Sequence, residues 1–121
     1  FDGTLHTFDI DPRKHEHAAR NFAKAGLDRW IRLHTGDARR LLAQMDGGVD
    51  FAFIDAAKEE SFDYFAALEP KLARRCLVAV DNTNTHNDQL ANFLIMLGTR
   101  GDFTYCNLPV GHGLGLAVRT A

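Results

Sequence analysis

The stretch from Phe51 to Asp55 reads FAFID and joins an unbroken apolar run to a single acid. An apolar run without polar alternation is typical of a strand buried on both faces of a parallel sheet, so we expect a central strand here. The run from Leu77 to Asp81 repeats the pattern as LVAVD. An amphipathic stretch lies between the two runs, which predicts neighbouring parallel strands joined by a helix.

The same alternation continues toward the N-terminus. Strands are predicted over residues 5–10 and 31–35, and a short helix over 37–44. Between those strands Asp11 can cap a helix that ends at Gly26. The apolar face of this first helix is predicted to comprise Ala18, Ala19, Phe22 and Ala23.

Toward the C-terminus, a helix over residues 59–68 is predicted to turn Phe62, Phe65 and Ala66 inward. A further helix, capped by Asn87 or Asp88, is predicted to end at Gly98. The last two strands are predicted to form an antiparallel hairpin around a Gly-x-Gly turn. The fold class is therefore α/β, with a mostly parallel sheet, an antiparallel last strand and a single domain over residues 1–121.

The composition limits the functional classes. The 121 residues are 45% hydrophobic and carry a formal net charge of -2, which gives no sign of a nucleic-acid or membrane partner and favours a small-molecule partner. The N-terminus lacks the pattern of a signal peptide, and we predict a cytoplasmic protein. Cys76 and Cys106 lie outside any C-x-x-C pattern, so we interpret them as reduced, buried thiols.

Four predicted strands end in acids. Ligands of open α/β sheets bind at the carboxyl ends of the strands, so these acids are the first candidates for a functional site. Asp9 is placed to accept hydrogen bonds from the hydroxyls of a ribose, or it is a solvated acid. Asp37, followed by Ala38, either accepts from an adenine amine or caps the next helix.

The other two strand ends offer hard oxygen ligands. Asp55, Asp81 and Asn82 suit magnesium, calcium or manganese better than zinc. Lys58 lies three residues after Asp55. A nearby cation and partial burial would lower the pKa of its ammonium group and make it a usable base, whereas the alternative is an ordinary surface lysine.

Taken in order, several short motifs resemble the cation-dependent class I O-methyltransferases of the catechol and caffeoyl-coenzyme-A type. They are Asp9-Ile10-Asp11-Pro12, Gly36-Asp37-Ala38, Phe53-Ile54-Asp55-Ala56-Ala57-Lys58, Val80-Asp81-Asn82 and Leu108-Pro109-Val110-Gly111-His112-Gly113-Leu114. The Asp-x-x-Lys motif followed by Asp-Asn is the most specific of these, and the resemblance covers nearly all of the chain.

The resemblance implies a Rossmann-like fold and methyl transfer from S-adenosylmethionine to a hydroxyl of a catechol-like aromatic substrate. It implies a divalent cation held by Asp55, Asp81 and Asn82, with Lys58 as the general base. The implied cofactor-binding residues are Asp9 on the ribose, Asp37 on the adenine, Ala38 and Asp55. Relatives are usually homodimers, so the resemblance also implies a homodimer.

The chain departs from the family pattern in one main respect. Members carry an earlier helix and a strand that ends in a Gly-rich cofactor loop, and neither is found in these residues. We therefore expect the chain to be the C-terminal portion of a catalytic domain, lacking the N-terminal cofactor-loop segment. The Gly-rich stretch at 111–115 lies between two strands and is not expected to replace that loop.

Two other hypotheses remain open. A nicotinamide-dependent oxidoreductase would also place an acid on a ribose, but it requires a Gly-x-Gly-x-x-Gly turn and gives Asp81 and Asn82 no role. A truncated or degenerate module could bind a nucleoside, or form an assembly surface, without catalysing a reaction.

Overall fold

The computed structural model describes residues 2–55, 57–84 and 88–120, and for Lys58 the backbone only. The chain divides into two compact units, Phe1–Gln44 and Met45–Ala121. Among the described residues, no helix has both the length and the apolar character needed to cross a membrane. The single domain over residues 1–121 stays a prediction.

The first unit is a parallel strand pair with two helices. Its elements are β1 (Leu5–Asp9), α1 (Pro12–Lys24), β2 (Ile31–Thr35) and α2 (Ala38–Gln44), with a short 3-10 turn at Asp28–Trp30 before β2. The two strands pair in parallel from Leu5 opposite Ile31 to Asp9 opposite Thr35. Both strands therefore end at the same edge, as the alternation predicted.

Helix α1 begins and ends as its sequence predicts. The side chain of Asp11 accepts a hydrogen bond from the Arg13 N–H and caps the helix, and Pro12 occupies the first turn. The chain leaves the helix through Gly26, whose φ of +69° favours glycine. The predicted apolar face was only partly right, because the residue that α1 buries is His15, while Ala19 and Ala23 are exposed.

The second unit is a four-stranded sheet with two helices. Its elements are β3 (Val49–Ile54), α3 (Ser61–Leu68), β4 (Leu72–Asp81), α4 (Asp88–Thr99), β5 (Thr104–Leu108) and β6 (Leu114–Arg119). The strand order is β3-β4-β6-β5. β3 and β4 are parallel, whereas β6 is antiparallel to both of its neighbours. The α/β fold and the antiparallel insertion of the last strand are thus confirmed. Asn87, one of the two predicted caps of α4, lies outside the described residues.

The core of this unit lies between the sheet and helices α3 and α4. Val78 of β4, Ala117 of β6 and Leu97 of α4 are fully buried. Phe65 of α3 packs with its ring centroid 5.6 Å from that of Phe93 on α4. Burial of a Val, Leu or Phe side chain is worth on the order of 1.5–3 kcal/mol, so this layer fixes β4 against the helices.

Four residues of the second unit differ from their predictions. β3 lies at the edge of its sheet, and Phe53 is 55% exposed because the strand is paired on one side, with β4. On α3, Phe65 is buried as predicted, but Phe62 is 54% exposed and Ala66 is also exposed. Cys76 is buried as predicted, but Cys106 is exposed because it lies on the edge strand β5.

Candidate functional site

Two of the four predicted acids lie at one edge of the first unit. Asp9 is the last paired residue of β1 and faces Thr35, the last of β2. The Gly36 N–H then donates to the Asp9 carbonyl at 3.0 Å, which carries the pairing one residue further. Asp37 follows immediately. The first unit therefore brings the proposed ribose acid and the proposed adenine-side acid to the carboxyl ends of neighbouring strands.

The Asp9 carboxylate has one oxygen committed to the chain. Its Oδ1 accepts from the Asp11 N–H at 2.9 Å, which holds the turn between β1 and α1. Its Oδ2 lies 3.5 Å from the Lys14 ammonium, a side chain that is 70% exposed. An exposed ion pair of this length is weak. Oδ2 is thus the oxygen suited to accept a hydrogen bond from a ligand.

The Asp37 carboxylate is more fully engaged. It accepts from the Arg39 N–H at 3.0 Å and from the Arg39 guanidinium, with the shortest contact at 2.8 Å. The side-chain and backbone hydrogen bonds from Arg39 lower the pKa of the Asp37 carboxyl. Ala38 begins α2, so Asp37 acts as the helix cap that the sequence offered as one alternative.

A buried histidine near the same strand ends was not predicted as part of the site. The Nδ1 of His15 is 2.8 Å from the Thr35 hydroxyl, and the residue is only 7% exposed. The His15 Nε2 is buried without a hydrogen-bond partner. The signal in the sequence was a histidine at a position of the α1 helix that helical spacing assigns to the buried face.

The other two acids lie at the carboxyl ends of adjacent strands in the second unit. Ile54 pairs with Val80 across β3 and β4, so Asp55 and Asp81 each follow a member of the same pair. Parallel strands end at a common edge, which brings these carboxylates to neighbouring positions. The structure therefore supports the predicted adjacency of Asp55 and Asp81.

Asn82 has an unusual backbone conformation. Its φ is +55°, the one positive value at a non-glycine residue of the described chain, and Asn tolerates this region better than most residues. Its N–H donates to Asp81 Oδ1 at 2.8 Å, and its Nδ2 donates to Asp81 Oδ2 at 3.3 Å. The two side chains thus form one hydrogen-bonded unit directly after β4.

The donors at this edge fit a hard cation by their chemistry. Two carboxylates and an amide oxygen match the ligands of magnesium, calcium or manganese, with water or substrate oxygens completing the shell. Across the described ranges, no group of three His, Cys, Asp or Glu side chains is arranged to hold a metal ion. A cation here would accordingly depend on Asn82 or on external oxygens. The role of Asp55, Asp81 and Asn82 as metal ligands stays a prediction.

The predicted base can be located only by its backbone. Lys58 begins a short 3-10 turn, Lys58–Glu60, that leads into α3. Its side chain lies outside the part of the chain that the structure describes, as does Ala56. The role of Lys58 as general base stays a prediction.

Comparison with known proteins identifies the family. A model of a family described as a methyltransferase domain matches residues 2–83, more than half of the chain. The chain belongs to this family. The match includes all four strand-end acids as well as Lys58 and Asn82, and it favours the methyltransferase interpretation over a nicotinamide-dependent oxidoreductase.

Individual relatives of this methyltransferase domain agree with the resemblance. A probable caffeoyl-CoA O-methyltransferase of Dictyostelium discoideum is 32% identical over 91 residues, which cover 70% of this chain and 39% of the relative. A caffeoyl-CoA O-methyltransferase of Nicotiana tabacum is 28% identical and is matched over 98% of this chain and 59% of its own length. The chain thus spans about two fifths to three fifths of these curated relatives.

A solved structure agrees in fold. The O-methyltransferase of tomaymycin synthesis from Streptomyces achromogenes, solved in complex with SAM, superposes with a TM-score of 0.86 at 27% identity. The alignment covers 99% of this chain and 63% of that one. The predicted resemblance to class I O-methyltransferases of the caffeoyl-CoA type is confirmed, and so is the Rossmann-like α/β fold.

Proposed function

We propose that the protein transfers a methyl group from S-adenosylmethionine to a hydroxyl of a catechol-like aromatic molecule, with the help of a divalent cation. The proposal rests on one observation. Asp55 and the hydrogen-bonded Asp81–Asn82 unit follow the ends of β3 and β4, at the same edge of the sheet. The family match supports the methyltransferase activity, and the donor chemistry supports the cation.

Within this proposal the chain's own residues bind and orient. Asp55, Asp81 and Asn82 would hold the cation, which when bound supplies the positive charge that fixes two adjacent substrate oxygens and favours the phenolate. Asp9 Oδ2 would accept from the cofactor ribose. The engagement of Asp37 with Arg39 leaves it the lesser candidate for direct adenine contact. The implied homodimer and the cytoplasmic location stay predictions.

The methyl transfer requires no reactant other than the cofactor and the acceptor. The substrate oxygen forms a bond to the methyl carbon as the sulfur–carbon bond breaks, and S-adenosylhomocysteine leaves. The phenolic proton goes to the proposed base, Lys58. Alignment of the two reactants accounts for much of such a rate enhancement, because a positioned pair reacts as one molecule.

The test uses the full-length protein with S-adenosylmethionine and a catechol acceptor. We expect methylation that a chelator abolishes and that magnesium or manganese restores. Asp81→Ala should remove this cation-dependent activity, whereas binding of S-adenosylhomocysteine should persist because Asp81 is not among the proposed cofactor-binding residues. The matched control is Asp88→Ala, an exposed acid at the start of α4, which should leave turnover unchanged.

Chelator-resistant turnover would contradict the cation assignment and leave a metal-independent methyltransferase. Binding of S-adenosylhomocysteine without methylation of any catechol acceptor would instead favour the nucleoside-binding module.

A further inference from the structure

We propose that Asn107 and Gly113 are positioning residues that hold Thr83 and Asn84, the described part of the loop that follows Asn82, and through them Asp81 and Asn82, in the conformation that binds a cation. The inference rests on the proposed function, because it assigns these residues to the cation site. It adds a contribution from the β5–β6 hairpin, the part of the chain that follows the family match of residues 2–83.

The backbone of the loop is bonded to the turn of the hairpin. The Thr83 N–H donates to the Gly113 carbonyl at 3.3 Å, and the Asn84 N–H donates to the His112 carbonyl at 2.8 Å. The turn is itself closed by the Gly113 N–H, which donates to the Val110 carbonyl at 2.8 Å. Two successive residues of the loop are therefore anchored to one hydrogen-bonded turn.

Side chains of the same segments form a second connection. The Thr83 hydroxyl donates to Asn107 Oδ1 at 2.6 Å, and Asn107 Nδ2 donates to Asn84 Oδ1 at 3.0 Å. Thr83 is only 8% exposed, so its hydroxyl would be costly to leave without a partner. Asn107 uses both ends of its amide, which fixes the amide orientation and links β5 to both loop residues.

Gly113 permits this close approach. Its φ is +93°, and a Cβ at this position would lie 2.7 Å from Asn84 Cγ and 2.8 Å from Asn84 N. Gly111, in the same turn, also has a positive φ of +55°, but a Cβ there would meet nothing within 4 Å. Both glycines have a positive φ, and they differ in whether the loop packs against them.

The anchored loop bears directly on the proposed ligands. Asp81 is fixed by its pairing with Leu114 on β6, and Thr83 and Asn84 are fixed by the turn. Asn82 therefore spans two fixed points and adopts its positive φ between them. Asn tolerates this region better than most residues, and the bonds on either side of Asn82 hold it there.

The experiment compares three variants of the full-length protein. Gly113→Ala forces the loop away, and Asn107→Leu removes the side-chain link with a side chain of similar branched shape. Gly111→Ala is the matched control, because Gly111 lies in the same turn and also has a positive φ but has no neighbour where the Cβ would lie. Manganese affinity is measured by calorimetry in the presence of saturating S-adenosylhomocysteine, and cofactor affinity is measured separately with a chelator. Thermal melting shows whether each variant folds.

We expect Gly113→Ala and Asn107→Leu to bind manganese on the order of tenfold to a hundredfold more weakly, as is usual when residues that orient metal ligands are changed. S-adenosylhomocysteine affinity should stay within about twofold, and Gly111→Ala should match the wild type in both measurements. A merely structural role would lower the melting temperature without changing the manganese affinity of the folded protein.

Two results would overturn the inference, and they differ from each other. If the wild type binds manganese and folded Asn107→Leu binds it equally well, the positioning role is wrong while the proposed function stands. If the wild type binds no manganese, the cation assignment and this inference fail together. Asn107→Leu decides the matter if Gly113→Ala does not fold.

Discussion

We expect Asp9→Asn to weaken cofactor binding while leaving the stability of the protein nearly unchanged. In the native structure Oδ1 holds the Asp11 N–H at 2.9 Å, and an amide oxygen can take over that bond. Oδ2 becomes an NH₂ group, which loses the pairing with Lys14 at 3.5 Å. Because that exposed pairing is worth less than about 1 kcal/mol, the melting temperature should barely change.

The effect on the cofactor should be much larger. A hydrogen bond from a ligand hydroxyl to a carboxylate contributes about 1.5–3 kcal/mol. At 1.4 kcal/mol for each factor of ten, its loss should weaken S-adenosylhomocysteine binding by roughly tenfold to a hundredfold. Calorimetry of the full-length protein measures this directly.

The matched control is Asp11→Asn, two residues away. The Asp11 side chain caps α1 and pairs with Arg13 but is not proposed to touch the cofactor. The Asp11→Asn variant should therefore bind S-adenosylhomocysteine with an affinity close to that of the wild type. If Asp9→Asn binds S-adenosylhomocysteine as well as the wild type does, while the protein is folded, Asp9 is a solvated acid and not the ribose ligand.

Two further predictions concern stability. Arg100→Met should lower the free energy of unfolding, measured in urea, by about 1–3 kcal/mol, because the guanidinium bonds Glu69 and Asp102 and lies over an aromatic ring. A loss no larger than that caused by Arg20→Met, at an exposed arginine, would contradict this prediction. The pKa of His34 lies below its ordinary 6.5, mainly because the ring is partly buried and also because the charges of neighbouring histidines oppose protonation. As the pH falls, the unfolded state therefore takes up this proton before the folded state does. Stability should fall as pH decreases through about 6.5 toward that lower pKa, and an equally steep fall in His34→Phe would refute the assignment.

The strand-end acids were predictable because their signal is local. Asp55 and Asp81 each follow a short apolar run, and a run of that length and composition favours a strand whose end the acid marks. The cap at Asp11 was predictable for the same reason, because capping depends on residues within one turn.

Features that depend on distant partners were missed. Asn107 bonds Thr83 across 24 residues of sequence, and nothing near either residue marks the pairing. His15 is buried because α1 packs on β2, where Thr35 offers a partner. Phe53 looked like part of a central strand, yet its exposure depends on which strands lie beside β3, a property of the sheet and not of the run itself.

The strand order of the second unit has a consequence for synthesis on the ribosome. β5 is made before β6, and β6 is its one neighbour among the strands of the described residues. Until residue 119 has left the exit tunnel, the nascent β5 stays unpaired and β4 keeps one open edge. At about 5–20 residues per second the wait is short, but during it the open edge of β4 is accessible to chaperones and to misassembly.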